Sequence, residues 1–327
     1  MKQTGDANTW PIGIRLFNRP DYAEQLIDSL KRQTFQVSAA SLNFIIDGYA
    51  GSLDEQRGKP NRTGEVVSLI RSSFPGAHIN QCSTNLGIAQ TAFKLQSQVF
   101  ALQDARWAIF LEEDVVLEPE YLQALDHMIG LADDVPEVVK VAANQINLNY
   151  LHQPPKAERC NFYLGQGTQA FAERRDYFDT RKHLTEIYLD TIAGRQYSDR
   201  DESEVFATLA EHGVFTIMGN NDVVHDRITM ALKGLHIVSA QKLVTDIGLA
   251  GETSFAYPEI ELPDSHTAQV LSTTKNDLLE SLDCLKQEAH LFEHRFLKDF
   301  WAGYLTSKSG RLAFGVLAKK AAHFFRR

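Results

Sequence analysis

The feature that most constrains this chain is an apolar run that ends in three consecutive carboxylates. The run extends from Trp107 to Leu111. Glu112, Glu113 and Asp114 follow it before apolar residues resume. Five apolar residues in a row are typical of a strand that is buried on both faces. Because side chains alternate across a strand, Glu112 and Asp114 are expected on one face and Glu113 on the other.

Two carboxylates on one side of a buried strand end indicate a site for a hard divalent cation that also binds phosphate oxygens. Mn²⁺ and Mg²⁺ both bind oxygen ligands, and these residue types do not discriminate between the two ions. The alternative is a surface turn whose acids begin a helix, since Glu118-Pro119-Glu120 is a helix start. A solvated turn would not need the apolar run in front of it, which favours the buried strand.

Apolar strands alternate with amphipathic helices in the first third of the chain. Strands are predicted at residues 11–17, 42–46 and 77–82, with helical apolar spacing between them. This alternation predicts an α/β fold: a mostly parallel sheet with helices on both faces. Ligands of such sheets bind at the carboxyl ends of the strands. Here those ends carry Arg19, Asp47 and the acidic cluster.

Composition excludes several classes of protein. The formal net charge of −9 argues against a general nucleic-acid binder. The 3 cysteines have no CxxC spacing, so they predict neither a disulfide framework nor a zinc site. No apolar run approaches the roughly 20 residues that span a bilayer, and the first residues do not resemble a signal peptide. We therefore expect a cytoplasmic protein.

Glycine-rich phosphate-binding motifs are absent from the sequence. No GxGxxG follows the first strand, and no GxxxxGK[ST] occurs anywhere in the chain. A diphosphate would then have to be neutralised in another way. A cation held by carboxylates is the alternative that the acidic strand end offers.

The order of motifs resembles the nucleotide-sugar-dependent glycosyltransferases of the GT-A fold. The nearest likenesses are the N-acetylglucosaminyltransferase I type and bacterial relatives of the family 2 enzymes. The resemblance extends over roughly residues 10–255. Its motifs are FNRPDYAEQLIDSL, FIIDGY, TNLGIAQT, FLEEDVVLEP, GQGTQAFAERRDYFD at 165–179, which resembles an aromatic acceptor-side loop, and residues 221–251, which resemble a WD-helix-strand-NIG segment.

This resemblance implies a metal-dependent glycosyltransferase that moves a sugar from a nucleoside-diphosphate sugar, most readily a UDP-sugar. The acceptor would be a glycan or a lipid-linked glycan, in surface polysaccharide biosynthesis. Asp114 would bind the metal, Glu112 would support it, and Asp222 would be the catalytic base of an inverting reaction. The residues implied around the nucleotide and its cation are Arg19, Asp47, Asn85, Glu112 and Glu113.

Departures from the family pattern lie on the acceptor side. Asn221 stands where the family usually has Trp, and Gln169 and Phe171 stand in a segment where Trp is common. The ATHT that often follows the NIG turn is also absent. A non-catalytic nucleotide-sugar-binding or scaffold protein of the same fold is therefore kept as an alternative. A sugar-1-phosphate nucleotidyltransferase would need a glycine-rich loop where this chain has FNRP.

Structural alternatives exist for three of the implied site residues. Asp222 could cap a helix, because it follows Asn220-Asn221 at a helix start. Arg19 could be a solvated turn residue, and Asp47-Gly48 is a common turn dipeptide. The polar run SDRDESE, residues 198–204, is expected to be a solvated loop over the acceptor side.

The domain plan follows from these assignments. Residues 8–260 would form the GT-A domain, with a nucleotide-binding half at about 8–118 and an acceptor half at about 119–260. Residues 261–327 would be a helical extension with a basic amphipathic tail. In the tail, at 294–327, aromatic residues on one helical face and cations on the other are typical of a helix that lies on an anionic membrane. Docking on the catalytic domain is the alternative for this segment.

Overall fold

The central sheet is built from eight short strands, and a separate two-stranded ribbon lies beside it. The computed structural model describes residues 10–143, 162–165, 169–195, 199–216, 218–239, 243–248, 268–287 and 289–290. The strands are β1 (Ile12–Leu16), β2 (Leu42–Ile46), β3 (His78–Gln81), β4 (Trp107–Glu112), β5 (Val115–Leu117), β6 (Val138–Ala142), β7 (Phe162–Leu164), β8 (Ala170–Arg174), β9 (Leu235–Ser239) and β10 (Val244–Asp246).

Helices connect most of these strands. They are α1 (Pro20–Lys31), α2 (Leu53–Gln56), α3 (Thr63–Ser73), α4 (Ile88–Leu102), α5 (Tyr121–Ala132), α6 (Arg175–Ile192), α7 (Glu202–Glu211), α8 (Asn221–Ala231) and α9 (Ala268–Ser272). Residues 275–287 are also helical. Helix α1 shows why they form where they do: Pro20 occupies the first turn, and Leu26, Ile27 and Leu30 repeat at helical spacing on the buried face.

The strand order is β3-β2-β1-β4-β8-β6-β9-β7. The first four strands are parallel to one another, and so are β6 and β9. Strand β8 runs antiparallel between β4 and β6, and β7 runs antiparallel to β9. The predicted α/β fold with a mostly parallel sheet is confirmed. Strand β4, the acidic strand, lies in the middle of the sheet, with every residue from Trp107 to Leu111 buried.

Helices cover both faces of the sheet, as predicted. One core contains apolar residues of α1, α3 and α5. The other contains residues of α4 and α6, among them Leu95, Val99 and Phe178. Both faces of β4 are covered, and burial decreases at its carboxyl end, where Glu112 is 21% exposed and the acidic cluster follows.

The helix at residues 275–287 packs on the first of these cores. Leu278, Leu282 and Leu285, which the sequence places at helical spacing, are all buried there. Lys275 and Lys286 make ion pairs with Asp134 and Glu137. The boundary proposed at residue 260 stays a prediction, and the basic tail at 294–327 lies outside the described residues. Within the described part of the chain, no helix combines the length and apolarity needed to cross a membrane.

The loop predicted over SDRDESE is wrong in its second half. Helix α7 begins at Glu202, and the carboxylate of Asp201 caps it by accepting a 2.9 Å hydrogen bond from the amide of Ser203. An aspartate before a polar first turn is a helix-start signal that competes with the solvated-loop interpretation. The apolar residues Val205 and Leu209, one turn later, pack in a third apolar cluster with residues of α6 and α8, among them Leu189 and Val224.

Candidate active site

Glu112, the last residue of β4, is paired with Arg15, for which the sequence predicted no role. The sheet register sets Arg15 of β1 opposite Glu112. An Nη atom of Arg15 lies 2.7 Å from Oε1 of Glu112. Burial raises the pKa of Glu112 to about 7; Arg15 opposes this shift, and the charges of Asp222 and Asp114 add to it. A charge within the alternating strand Ile12-Ile14-Leu16 was the signal that could have indicated Arg15.

Glu113 and Asp114 share a second arginine, Arg19. Nε of Arg19 donates to Oε1 of Glu113 at 2.5 Å, and Nη2 donates to Oδ2 of Asp114 at 3.0 Å. Glu113 is held further by the amide of Phe17, which donates to its Oε2 at 2.8 Å. The expected alternation, with Glu112 and Asp114 on one side, does not describe this arrangement. The strand ends at Glu112, so the two following residues turn to the same guanidinium group.

Asp114 is the best candidate for a cation ligand. Its Oδ1 atom is buried and has no hydrogen-bond partner among the described residues. Gly248 packs so closely that a Cβ at that position would lie 2.7 Å from Oδ2 of Asp114. The amide of Ile247 also donates to the main-chain oxygen of Asp114 at 2.8 Å. A buried carboxylate oxygen without a donor suits Mn²⁺ or Mg²⁺, so this residue fits the implied group.

A cation here would have few protein ligands. Among the residues that the structure describes, no group of three or more His, Cys, Asp or Glu side chains is arranged to hold a metal ion. Mg²⁺ in phosphate-handling sites is commonly held by one or two carboxylates together with the oxygens of the substrate. Asp114 and Glu112 are compatible with that mode and not with a cage made by protein alone.

Asp222 approaches the same edge of the sheet from the far end of the sequence. It lies in the first turn of α8, close enough to Glu112 and Arg15 for its charge to raise the pKa of both. The alternative that Asp222 is the N-cap is wrong. The cap is Asn220, whose side-chain oxygen accepts a 2.9 Å hydrogen bond from the amide of Val223. Its role as a base stays a prediction.

The carboxylate of Asp47 is used by its own loops. Oδ1 accepts hydrogen bonds from the amides of Gly48 and Leu86, both at 2.8 Å. Oδ2 accepts from the amide of Gly87 at 3.0 Å and from Nδ2 of Asn85 at 3.1 Å. Asp47 and Asn85 therefore join the loop after β2 to the loop after β3. These bonds support the structural interpretation, while a direct nucleotide contact by either residue stays a prediction.

A cavity opens beside these two loops. Its volume is about 440 Å³, and it lies at the carboxyl ends of β2 and β3. Most of its lining side chains are polar. The lining residues are Tyr49, Ala50, Glu55, Asn61, Thr63, Gln81, Cys82 and Ser83.

Two further residues complete the edge near Asp114. Nε2 of Gln169 donates to Oδ2 of Asp246 at 2.6 Å, and the main-chain oxygen of Gln169 accepts from the amide of Glu112 at 2.8 Å. Strand β10 pairs with β5 so that Asp246 lies opposite Val115. The loop predicted at 165–179 is wrong beyond Gln169, because strand β8 and helix α6 follow directly. Gln169 itself was predicted only as a departure from the family pattern. Its actual position, between the β4 end and Asp246, follows from strand pairing.

A buried polar cluster lies beneath α8. Arg181 makes two hydrogen bonds to Glu173, at 2.7 and 2.8 Å, and all three of the charged side chains Arg181, Glu173 and Lys140 are at most 1% exposed. Nζ of Lys140 lies 3.8 Å from Glu173. Burial lowers the pKa of Lys140 and lowers that of His225 well below its usual value. The cluster joins β6, β8 and α6 under the helix that carries Asp222.

Comparisons with known proteins give only distant similarities. No protein-family model matches the sequence, and no curated protein matches it. Among solved structures, S. aureus TarS matches with a TM-score of 0.39 and 13% identity over 68% of this chain and 42% of the TarS chain. A structure of TarS residues 1–349 in complex with UDP matches with the same TM-score and identity, with 70% of that chain covered.

The mannosyltransferase PcManGT from Pyrobaculum calidifontis, in complex with GDP-Man and Mn²⁺, matches with a TM-score of 0.36 and 10% identity. The match covers 71% of this chain and 74% of that chain. These similarities are too low to carry an argument about function.

Proposed function

We propose that this chain is a cation-dependent glycosyltransferase that transfers a sugar from a nucleoside-diphosphate sugar, with UDP as the first candidate nucleotide, to a glycan or lipid-linked glycan. The observation that carries the proposal is the placement of Glu112 and Asp114 at the carboxyl edge of the sheet, where Asn221, the neighbour of Asp222, lines one pocket with Arg15 and Glu112. Two arginines and an unpartnered carboxylate oxygen occupy the same edge. A diphosphate with a cation needs both kinds of charge.

The donor side of the proposal uses Arg19 and the cavity beside the Asp47 loops. Arg19 is 41% exposed, so its guanidinium can reach a ligand without leaving the edge. The cavity of about 440 Å³ falls in the size range of small-molecule sites. We therefore assign the nucleoside to this cavity and the diphosphate to the space between it and Asp114.

Asp114, with Glu112 in support, would hold the cation. When bound, Mn²⁺ or Mg²⁺ would supply positive charge to the departing diphosphate. The protein's own contribution is to hold the carboxylate of Asp114 in place through Gly248 and Ile247.

Asp222 would accept the proton of the attacking hydroxyl group. Asp222 lies in the first turn of α8 and is exposed, and its charge acts on Glu112 at the end of β4, so its carboxylate is accessible to an acceptor that enters from solvent. Removal of the proton by Asp222 during a single displacement inverts the anomeric centre. Changing Asp222 to Asn should lower turnover by about 10²–10⁴ and leave donor binding in place. A product with retained configuration would contradict this role.

The test of the nucleotide site is calorimetry with a panel of nucleoside diphosphates and nucleotide sugars, with and without Mn²⁺. We expect cation-dependent binding by the wild type and its loss in Asp114→Ala. Asp134→Ala is the matched control, because that aspartate makes an exposed ion pair with Lys275 away from the site. A folded wild type that binds none of the ligands would reject the proposal. Binding without turnover of any donor would favour the non-catalytic alternative.

A cytoplasmic location, which the scattered cysteines favour, and contact of residues 294–327 with an anionic membrane are further parts of the proposal. The membrane contact is supported by the eight Lys and Arg residues against one acid in that segment. Flotation with anionic liposomes would test the contact. Removal of the residues after Ser309 should abolish it, and unchanged flotation would mean that the tail is no anchor.

A further inference from the structure

We propose that Arg19 is an exchangeable counter-cation for Asp114. Its guanidinium group forms an ion pair with this carboxylate in the free protein, and it pairs with the diphosphate of the donor instead when the donor binds. The inference rests on the proposed function and concerns how binding of the cation is regulated at the same site. It predicts that a divalent cation binds the free protein weakly and that cation and diphosphate strengthen one another's binding.

The two carboxylates that Arg19 contacts differ in how firmly they are held. Glu113 is 6% exposed and accepts a second hydrogen bond from the amide of Phe17. Asp114 is 17% exposed, and no second donor to its carboxylate is described. The Glu113 contact is therefore the fixed end of the arginine, while the Asp114 contact can be given up at lower cost.

Asp114 has little freedom to avoid Arg19. Gly248 closes one side of its carboxylate, because even a Cβ there would lie 2.7 Å from Oδ2. Its main-chain oxygen is fixed by Ile247. A cation that takes Asp114 as ligand would therefore lie beside the guanidinium group, and two positive charges on one carboxylate repel each other.

A diphosphate relieves this repulsion. Its oxygens match the fork of a guanidinium group, which binds phosphate in a bidentate manner. The side chain of Arg19 also has a second support, since its Cζ atom lies 4.7 Å from the centre of the Tyr22 ring. Arg19 can thus turn from Asp114 toward a ligand while it stays near Glu113 and Tyr22.

Arg15 shows the contrasting arrangement. Its side chain is 14% exposed and pairs with Glu112 at 2.7 Å within the strand register. A strand position gives it no comparable freedom. We assign the exchange to Arg19 alone of these two arginines.

The experiment measures Mn²⁺ binding to the free protein, by electron paramagnetic resonance of unbound Mn²⁺, for the wild type and Arg19→Met. Removal of the competing charge should raise Mn²⁺ affinity about tenfold, while the shorter but charged Arg19→Lys should change it by less than about threefold. Arg106→Met is the matched control. Arg106 pairs with Asp133 at 2.9 Å at the opposite end of β4, and its replacement should have no effect.

Unchanged or weaker Mn²⁺ binding in Arg19→Met would overturn the inference, as would the absence of Mn²⁺ binding in both proteins. The second measurement is the affinity for UDP with and without Mn²⁺. The factor by which Mn²⁺ strengthens UDP binding should be smaller in Arg19→Met than in the wild type, and the same factor must appear for UDP acting on Mn²⁺. Suppose that the wild type binds nucleotide with Mn²⁺ and that Arg19→Met changes neither the Mn²⁺ affinity nor its coupling to UDP. That result would overturn the proposed exchange of Arg19 and leave the proposed function standing.

Discussion

The hydroxyl group of Tyr188 donates a 2.8 Å hydrogen bond to the main-chain oxygen of Gly219, three residues before Asp222. Eleven residues earlier on the same helix, the hydroxyl of Tyr177 meets Oγ1 of Thr229 at 2.6 Å. Thr229 donates its own proton to the main-chain oxygen of His225, so Tyr177 is the donor. Two buried tyrosines of α6 thereby hold α8 before its start and near its end.

Changing Tyr188 to Phe should test this support. The substitution leaves a buried carbonyl without its donor, which we expect to cost about 1–3 kcal/mol of unfolding free energy. Urea unfolding measures the loss. Turnover should fall while nucleotide binding is kept, because the displaced residue is Asp222 and not Asp114.

Tyr121→Phe is the control for this prediction. The hydroxyl of Tyr121 is buried and has no described partner. Its removal should therefore change the unfolding free energy by less than about 0.5 kcal/mol or stabilise the protein. Equal losses in the two variants would mean that the Gly219 hydrogen bond does not stabilise the fold.

Glu173 is the counter-charge of buried Arg181, and its carboxylate also lies 3.8 Å from Nζ of buried Lys140. Changing Glu173 to Gln leaves this positive charge uncompensated and should lower the unfolding free energy by about 3–5 kcal/mol. The comparison is Glu137→Gln, which removes an exposed pair with Lys286 and should cost less than about 1 kcal/mol. Denaturant unfolding of both variants measures the difference. Similar costs would show that the buried cluster does not depend on this charge.

His236 is expected to make the free energy of unfolding depend on pH in the acid range. Burial, together with the charge of Lys140, lowers its pKa from 6.5 to about 3. The folded protein therefore keeps the ring neutral, while the unfolded chain takes up a proton below about pH 6.5. The stability that this difference contributes is complete above about pH 6.5 and is lost as the pH falls toward about 3, by up to about 1.4 kcal/mol per pH unit.

The measurement is the unfolding free energy at pH 7 and pH 5 for the wild type and His236→Leu. Glu112 acts in the opposite sense, because its pKa is raised to about 7 and its folded form holds a proton that the unfolded chain releases. Both proteins contain Glu112, so its contribution cancels when the stability losses of the wild type and His236→Leu are compared. We expect a smaller loss of stability on acidification in His236→Leu; an identical loss would contradict the assignment.

Gly248 is predicted to be necessary for the position of the Asp114 carboxylate. Gly248→Ala would set a methyl group 2.7 Å from Oδ2 of Asp114, so that the side chain must move. We expect the Mn²⁺-dependent nucleotide affinity to fall by about tenfold or more, measured by calorimetry. Gly130→Ala in α5 is the control, since a Cβ there meets nothing within 4 Å. That change should be neutral or stabilise the helix by up to about 1 kcal/mol.

Much of the fold could be predicted from the sequence. The strands β1 to β4, the helices α1, α3 and α4 between them and the position of the acids at a buried strand end all follow from local periodicity, because a strand or helix repeats its apolar face within a few residues. The short helix α2 was not predicted. The helical spacing of Leu278, Leu282 and Leu285 gave the late helix in the same way.

The pairing of charges was decided by the tertiary structure. Arg15 meets Glu112 because two strands pair in one register, and Asp222 approaches Glu112 because α8 returns to the edge of the sheet. Helix α7 also escaped prediction, since its start depends on a single cap at Asp201. The sequence by itself determined which residues are apolar and therefore which segments are buried. Which carboxylate faces which arginine depends on contacts between segments about a hundred residues apart, and only the packed sheet specifies those.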